Sequence, residues 1–167
     1  MALNIQKKQK IIDEIHKIAK LATSLILAEV QNISVNNITQ LRKSALKSEV
    51  KINIVKNTLF KLAIRNTPFE CLVNDIKGPN LVAFSMNHPG SAAKLLQVFK
   101  KKHVNCKIKI GVFEKKILSK SAINELSNMP TYEEVLIHMI VLLREITVAK
   151  LIRALRAVQH KKSIINI

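Results

Sequence analysis

The 167-residue chain is short of nearly every residue that builds a catalytic or covalently braced site. It has three glycines, four prolines, two cysteines and no tryptophan. The glycines lie too far apart for a dinucleotide fingerprint or a phosphate-cradling loop. Cys71 and Cys106 allow one bridge at most, so a disulfide framework is excluded, and free thiols of a reducing cytosol are expected. No paired Cys or His spacing of a zinc site occurs, and the five histidines are scattered. Aromatic residues make up 4% of the chain, which argues against a stacking platform for single-stranded nucleic acid. Long apolar runs are also missing. The longest, Val135 to Leu143, is interrupted by His138 and falls far short of the roughly 20 residues that span a bilayer. No apolar segment follows the basic N-terminus, so no targeting signal is expected and a cytoplasmic location is.

Acidic residues are scarce as well. There are 11 Asp and Glu against 28 Lys and Arg, a net charge of +17. Such a chain seeks polyanions: nucleic acid first, an anionic membrane surface second. Lysine far outnumbers arginine, and isoleucine and asparagine abound, as in a chain whose gene has drifted toward AT-rich codons. Single lysines are therefore weak markers of a site. With 48% hydrophobic residues the chain has enough apolar material for a true core.

Periodicity gives the organisation. Residues 5–22 read as a helix, 23–30 as a buried strand, and 34–47 as a second helix capped by Ser34. Residues 50–55 alternate in the strand period, with Val50, Ile52 and Ile54 on one face. Asn57 or Thr58 caps a short helix with apolar positions Leu59, Phe60, Leu62, Ala63 and Ile64, and Thr67-Pro68 opens another helical turn. Gly78-Pro79 turns into a strand at 81–85, and His88-Pro89-Gly90 precedes a helix from Ser91 to Lys102. Two strands joined near Gly111 are expected in 106–118, then a helix at 120–127. The expectation is an α/β domain over residues 1–130, a mixed sheet covered by helices.

After Pro130, Thr131 to Glu134 fits a capping box, and nothing breaks a helix until about His160. This predicts one rod of about 45 Å. Val135, Leu136, Met139, Ile140, Leu143, Ile146, Leu151, Ile152 and Leu155 leave it no wide polar face. A helix apolar nearly all round needs cover on several sides, either from a partner or by packing back or self-associating.

Arg42 and Lys43, with Lys47 nearby, end the second helix; Lys56, Asn57 and Thr58 join a strand to a helix that continues through Lys61 and Arg65. These residues supply the forks, point charges and short polar groups that meet RNA phosphates and 2′-hydroxyls, or they are simply a solvated helix face. The Lys100–Lys102 run suits a helix C-terminus. Cys71, in the apolar FECLV segment, reads as core, and His138 as packed against a partner.

Several segments together match a known family: SVNNITQLRK at 34–43, VKNTLFKLAI at 55–64, NTPFECL at 66–72, GPNLVAFSMNHPGSAAKLL at 78–96 and MPTYEEVL at 129–136, after MALNIQKKQKIIDEI at 1–15. They stand in that family's order and spacing over nearly the whole chain. The chain resembles bacterial large-subunit ribosomal protein ten, the stalk-base protein. The resemblance implies a cytoplasmic, ribosome-bound, non-enzymatic protein without cofactor or metal. Its N-terminal domain would bind large-subunit rRNA beside a neighbouring stalk-base protein. The implied rRNA residues are Arg42, Lys43, Lys56, Asn57, Thr58 and Arg65, with Lys7, Lys8, Lys10 and Lys61 behind them. The helix in 131–167 would carry dimers of the acidic stalk protein, two fitting a 45 Å rod side by side, and these would recruit translational GTPases. Repression of its own messenger RNA is also implied. Two departures stand out: Gln31-Asn32-Ile33 lacks the family's glycine, and the tail 161–167 ends differently. An RNA-modifying enzyme would need an acid–base set or cofactor loop, and neither is visible. A peripheral membrane helix would need a cationic face opposite its apolar one.

Overall fold

The computed structural model describes residues 5–31, 33–103, 106–146 and 150–165. Five strands form one sheet in the order β2-β3-β1-β4-β5, from β1 (Ser24–Val30), β2 (Val50–Ile54), β3 (Asn80–Ser85), β4 (Cys106–Phe113) and β5 (Lys116–Leu118). The α/β class holds, with helices over the sheet, but each of its strand pairings is antiparallel, so the sheet is not mixed. β1 and β2 run one way and β3 and β4 the other, and the order β2-β3-β1-β4-β5 interleaves the two directions, so neighbouring strands are antiparallel.

The two central strands are apolar on both faces. In β1, Leu25 and Leu27 join one hydrophobic cluster while Ile26 and Ala28 join the other. In β3, Val82 and Phe84 oppose Leu81 and Ala83 in the same way. One face is covered by α1 (Ile5–Leu21) and α3 (Asn57–Ala63), through Ile15, Ala19, Phe60 and Ala63, with Leu72 from a 3₁₀ turn at Glu70–Leu72. The other face is covered by α2 (Val35–Lys47), α4 (Ser91–Lys102) and α5 (Lys120–Ser127), through Leu41, Ala45, Leu96, Phe99 and Ile123. Helices on both faces explain the continuous apolar runs in the strands.

Local expectations fail where a long-range contact outranks a local signal. Gly111 is not a turn but sits inside β4, where an added Cβ would lie 3.4 Å from Ile123 Cγ1. It lets α5 lie close to the strand. The β4–β5 turn is Glu114-Lys115, both with positive φ (51° and 64°), the conformation a tight hairpin needs. Gly90 is demanded by packing, since a Cβ there would meet Leu126 O at 2.4 Å. The cap of α3 is Lys56, not Asn57 or Thr58, and makes no side-chain capping bond; Ser34 caps α2 by position only. Ile5, Leu62 and Ile54 are exposed rather than inward, and Cys71 is exposed, its thiol donating to Lys115 O at 3.7 Å. Cys106 is the buried cysteine.

The chain divides into two compact units, Met1–Met129 and Pro130–Ile167. The second unit opens with the expected capping box: Thr131 N donates to Glu134 Oε2, and Glu134 N donates to Thr131 Oγ1. The helix expected to about His160 is described as α6 (Tyr132–Arg144) and α7 (Lys150–Ile165), which runs on past His160; the junction at 147–149 lies outside the described residues. Glu145 and Ile146 adopt a wider π turn after α6. Such a turn re-phases a helix that sequence periodicity reads as unbroken. The helices are about 20 and 24 Å long. Arg153 pairs with Glu145 at 2.9 Å, linking α7 to the end of α6. Asn32, where the family's glycine is missing, and the last residues of the tail lie outside the described residues.

Candidate nucleic-acid interface

β1 and β2 end, and β3 begins, at the same edge of the fold, because Ile54 pairs with Leu81 and Glu29 with Asn80. A groove of about 570 Å³ opens there. Lys56, Asn57 and Thr58, singled out in the sequence, line one side; Val30, Ile33 and Ile38 come from β1, the following loop and α2. Gly78 to Leu81 line it as well. Gly78 has φ +78°, which turns its carbonyl toward Asn57. Asn57 Nδ2 donates to Gly78 O at 2.8 Å, and Asn80 Nδ2 donates to Asn57 Oδ1 at 3.3 Å. Asn80 is buried, and its Oδ1 has no hydrogen-bond partner among the described residues. Leaving such an acceptor unpaired costs about 1–3 kcal/mol. Nothing local in the sequence marks Asn80: its role depends on Asn57, 23 residues away.

The other sequence-chosen cations are spread more widely. Arg42 and Lys43 are exposed on α2, Arg42 one helical turn beyond the groove residue Ile38. Lys61 follows Asn57 by one turn on α3, and Arg65 is exposed just past that helix. Lys7, Lys8 and Lys10 are exposed on the first turns of α1. The later part of α1 is held against α3 by His16 Nδ1, which donates to Ala63 O at 2.9 Å. The structure thus brings Lys56, Asn57 and Thr58 into one groove, and sets the remaining cations on α1, α2 and α3. Among the described residues none of these cations has a carboxylate partner. Lys109 is different: it pairs with Glu29 at 3.2 Å and donates to Lys77 O at 2.7 Å.

Among the described residues no cluster of three or more His, Cys, Asp or Glu could hold a metal ion. Burial pushes the Cys106 thiol up from its ordinary value, partly offset by Lys100, so it stays protonated and unreactive. Cys71 lines an open hollow with Asn66, Thr67, Pro68, Glu70 and Lys115.

The second unit has the opposite character. None of the α6 residues is buried. Val135, Leu136, Met139, Ile140, Leu143, Ile146, Leu151, Ile152 and Leu155 are all exposed, Ile140 at 62%. His138 is exposed too, so it is not packed within the chain. Among the described residues no helix is long and apolar enough to cross a membrane.

These two surfaces can be set beside known proteins. The family model described as Ribosomal protein L10 matches residues 3–101, which carry α1 to α4 and the groove. The large ribosomal subunit protein uL10 of Buchnera aphidicola subsp. Schizaphis graminum is 48% identical over 162 residues, 97% of this chain and 98% of that protein. The chain belongs to the Ribosomal protein L10 family. The uL10 proteins of Sodalis glossinidius and Escherichia coli O1:K1 / APEC are each 40% identical over 97% of this chain and 98% of theirs. The family model stops within α4, whereas these L10 relatives align over nearly the whole length, so the likeness runs on into the apolar helices.

Proposed function

We propose that the chain is a non-enzymatic structural constituent of the large ribosomal subunit that joins rRNA to the acidic stalk. Its L10 family membership and the uL10 relatives support the ribosomal role. The division of labour rests on one observation: a closed, basic α/β unit and a separate helical unit whose apolar side chains are exposed.

Residues 1–130 bind large-subunit rRNA, beside the neighbouring stalk-base protein. Lys56, Asn57 and Thr58 meet the RNA at the groove, and Arg42, Lys43, Lys61, Arg65 and Lys7 to Lys10 add phosphate contacts around it. Phosphate contacts of this kind position an RNA, and polar groups near its sugars read its shape. The same surface would serve repression of the protein's own messenger RNA. Residues 131–167 seat dimers of the acidic stalk protein on α6 and α7, and translational GTPases reach the ribosome through those dimers. Two helices of about 20 and 24 Å give each of two dimers its own seat. An apolar surface of this extent on a soluble chain calls for a partner.

Native mass spectrometry of the protein co-expressed with its stalk partner tests the count. One chain with four stalk chains is expected, and six would refute the two-dimer seat. Absence of any complex would remove the stalk function.

A further inference from the structure

We propose that Lys109 is a positioning residue of the rRNA interface: it meets no RNA itself, and its ammonium pins the Lys77–Gly78 turn that holds Asn57, and with it the start of α3. This rests on the reading of the first unit as an rRNA-binding domain. It sets one lysine of a lysine-rich chain apart from those that meet phosphates.

A slip in the sheet aims the side chain. β1 and β4 pair in step from Ser24 with Phe113 to Leu27 with Ile110, but Ala28 then pairs with Ile108. Lys109 is therefore the extra residue of a β-bulge. Alternation breaks at that point. Cys106 and Ile108 join the cluster that α4 covers, whereas Ile110 and Val112 pack in the cluster on the opposite face. Ile108 and Ile110 would share a face in an unbroken strand. Bulges recur beside functional sites, where they re-aim a side chain.

Lys109 Nζ reaches two acceptors at once. It pairs with Glu29 Oε2 at 3.2 Å and donates to Lys77 O at 2.7 Å. Glu29 is held in turn, since Gln31 Nε2 donates to its Oε1 at 2.8 Å. The ion pair lies against the turn: a Cβ on Gly78 would stand 3.4 Å from both Glu29 Oε1 and Lys109 Nζ. The next carbonyl, Gly78 O, accepts from Asn57 Nδ2 at 2.8 Å, and Asn57 Oδ1 accepts from Asn80 Nδ2 at 3.3 Å. Two successive carbonyls thus tie the turn to β4 through one and to α3 through the other. Lys56 and Thr58, on either side of Asn57, stand exposed at the start of that helix.

Lys109 itself is poorly suited to a phosphate. Its side chain is 26% exposed, that of Glu29 is 21% exposed, and the carboxylate already balances the cation. Partly shielded pairs are weak evidence for stability, and their best-attested use is to fix register.

The test uses the full-length protein and a transcript of the stalk-base region of large-subunit rRNA. Glu29→Gln combined with Lys109→Met removes one charge of each sign, so the net charge stays at +17. Urea unfolding confirms that this pair variant is folded. Its affinity for the transcript should fall about fivefold, the size of a typical coupling between groups in one network. The log–log salt dependence should keep its slope, because no phosphate contact is lost. In an Asn57→Ala background the same pair change should cause no further loss, since the turn then has no hold on α3. Should the pair variant fail to fold, Lys109→Gln alone takes its place in the cycle with Asn57→Ala, because repulsion from the unpaired Glu29 acts with or without Asn57. Wild-type affinity in the folded variant, a flatter salt slope in the pair variant, or an equal loss in the Asn57→Ala background overturns the inference and leaves the rRNA reading standing. Failure of the wild-type protein to bind the transcript overturns both.

Discussion

Two apolar runs in this chain meet opposite fates. Leu81, Val82, Ala83 and Phe84 are each at most 1% exposed, enclosed between helices on both faces of the sheet. Met139, Ile140, Val141, Leu142 and Leu143 are 48 to 62% exposed on α6. Composition does not separate them. The difference is topological: the first run is a central strand with neighbours on every side, and the second is a helix in a separate unit. Burial of the first stabilises the fold. Exposure of the second leaves its hydrophobic free energy for a partner, since cover gained on binding is released only then.

If that contrast is right, the same kind of substitution should act on stability in one region and on assembly in the other. Phe84→Ala should cost about 3–5 kcal/mol, because it opens a cavity beneath Phe60, whose ring packs edge-on to Phe84 at 6.5 Å. Urea titration measures this, and a cost near zero would contradict enclosure of the strand on both faces. Ile140→Glu should leave the unfolding midpoint almost unmoved, within about 0.5 kcal/mol, as expected of an exposed site. It should nevertheless weaken stalk-dimer binding by about 2 kcal/mol or more, as for the centre of an apolar interface. Isothermal titration with purified stalk dimers reads that loss. Unchanged affinity would take Ile140 out of the seat.

Smaller effects sharpen the basic side of the comparison. Arg42→Ala and Lys56→Ala should each weaken rRNA binding and flatten the log–log salt dependence, by about 0.9 for each phosphate no longer neutralised at duplex-like sites. Either variant matching wild type across a salt titration removes that residue from the interface. The smallest effect concerns the thiols. Iodoacetamide should label Cys71 quickly and Cys106 only as the fold opens, because the first is exposed and the second buried. Burial raises the folded pKa of Cys106, so its contribution to stability is full below the unfolded thiol's value, about 8.5. That contribution fades as pH rises through the folded value. Equal labelling rates would contradict the burial.

Much of the architecture is readable from local pattern. The Thr131–Glu134 capping box, the helix from Ser91 to Lys102 and the Gly78-Pro79 turn each depend on a few neighbouring residues, and each forms as read. Lys56, Asn57 and Thr58 are legible as a polar cluster for the same reason. What escapes the sequence depends on distant partners. Asn80 becomes notable only once Asn57 and Gly78 are beside it. Gly111 imitates a turn residue until Ile123 is seen against it. Cys71 sits in an apolar segment yet faces outward, because Phe69 and Leu72 take the inward positions of that turn. The π turn at Glu145 and Ile146 is equally hidden. A π turn changes the phase of a helix without requiring glycine or proline.

The separation of RNA binding from stalk binding is tested most directly by deleting residues 131–167 and measuring both on one sample. Both hydrophobic clusters belong to residues before Pro130, so the shortened chain should stay folded, with circular dichroism and urea unfolding as controls. It should bind the rRNA fragment like the full chain and show no affinity for acidic stalk dimers. Retained binding of stalk dimers by the shortened, folded chain would contradict the account.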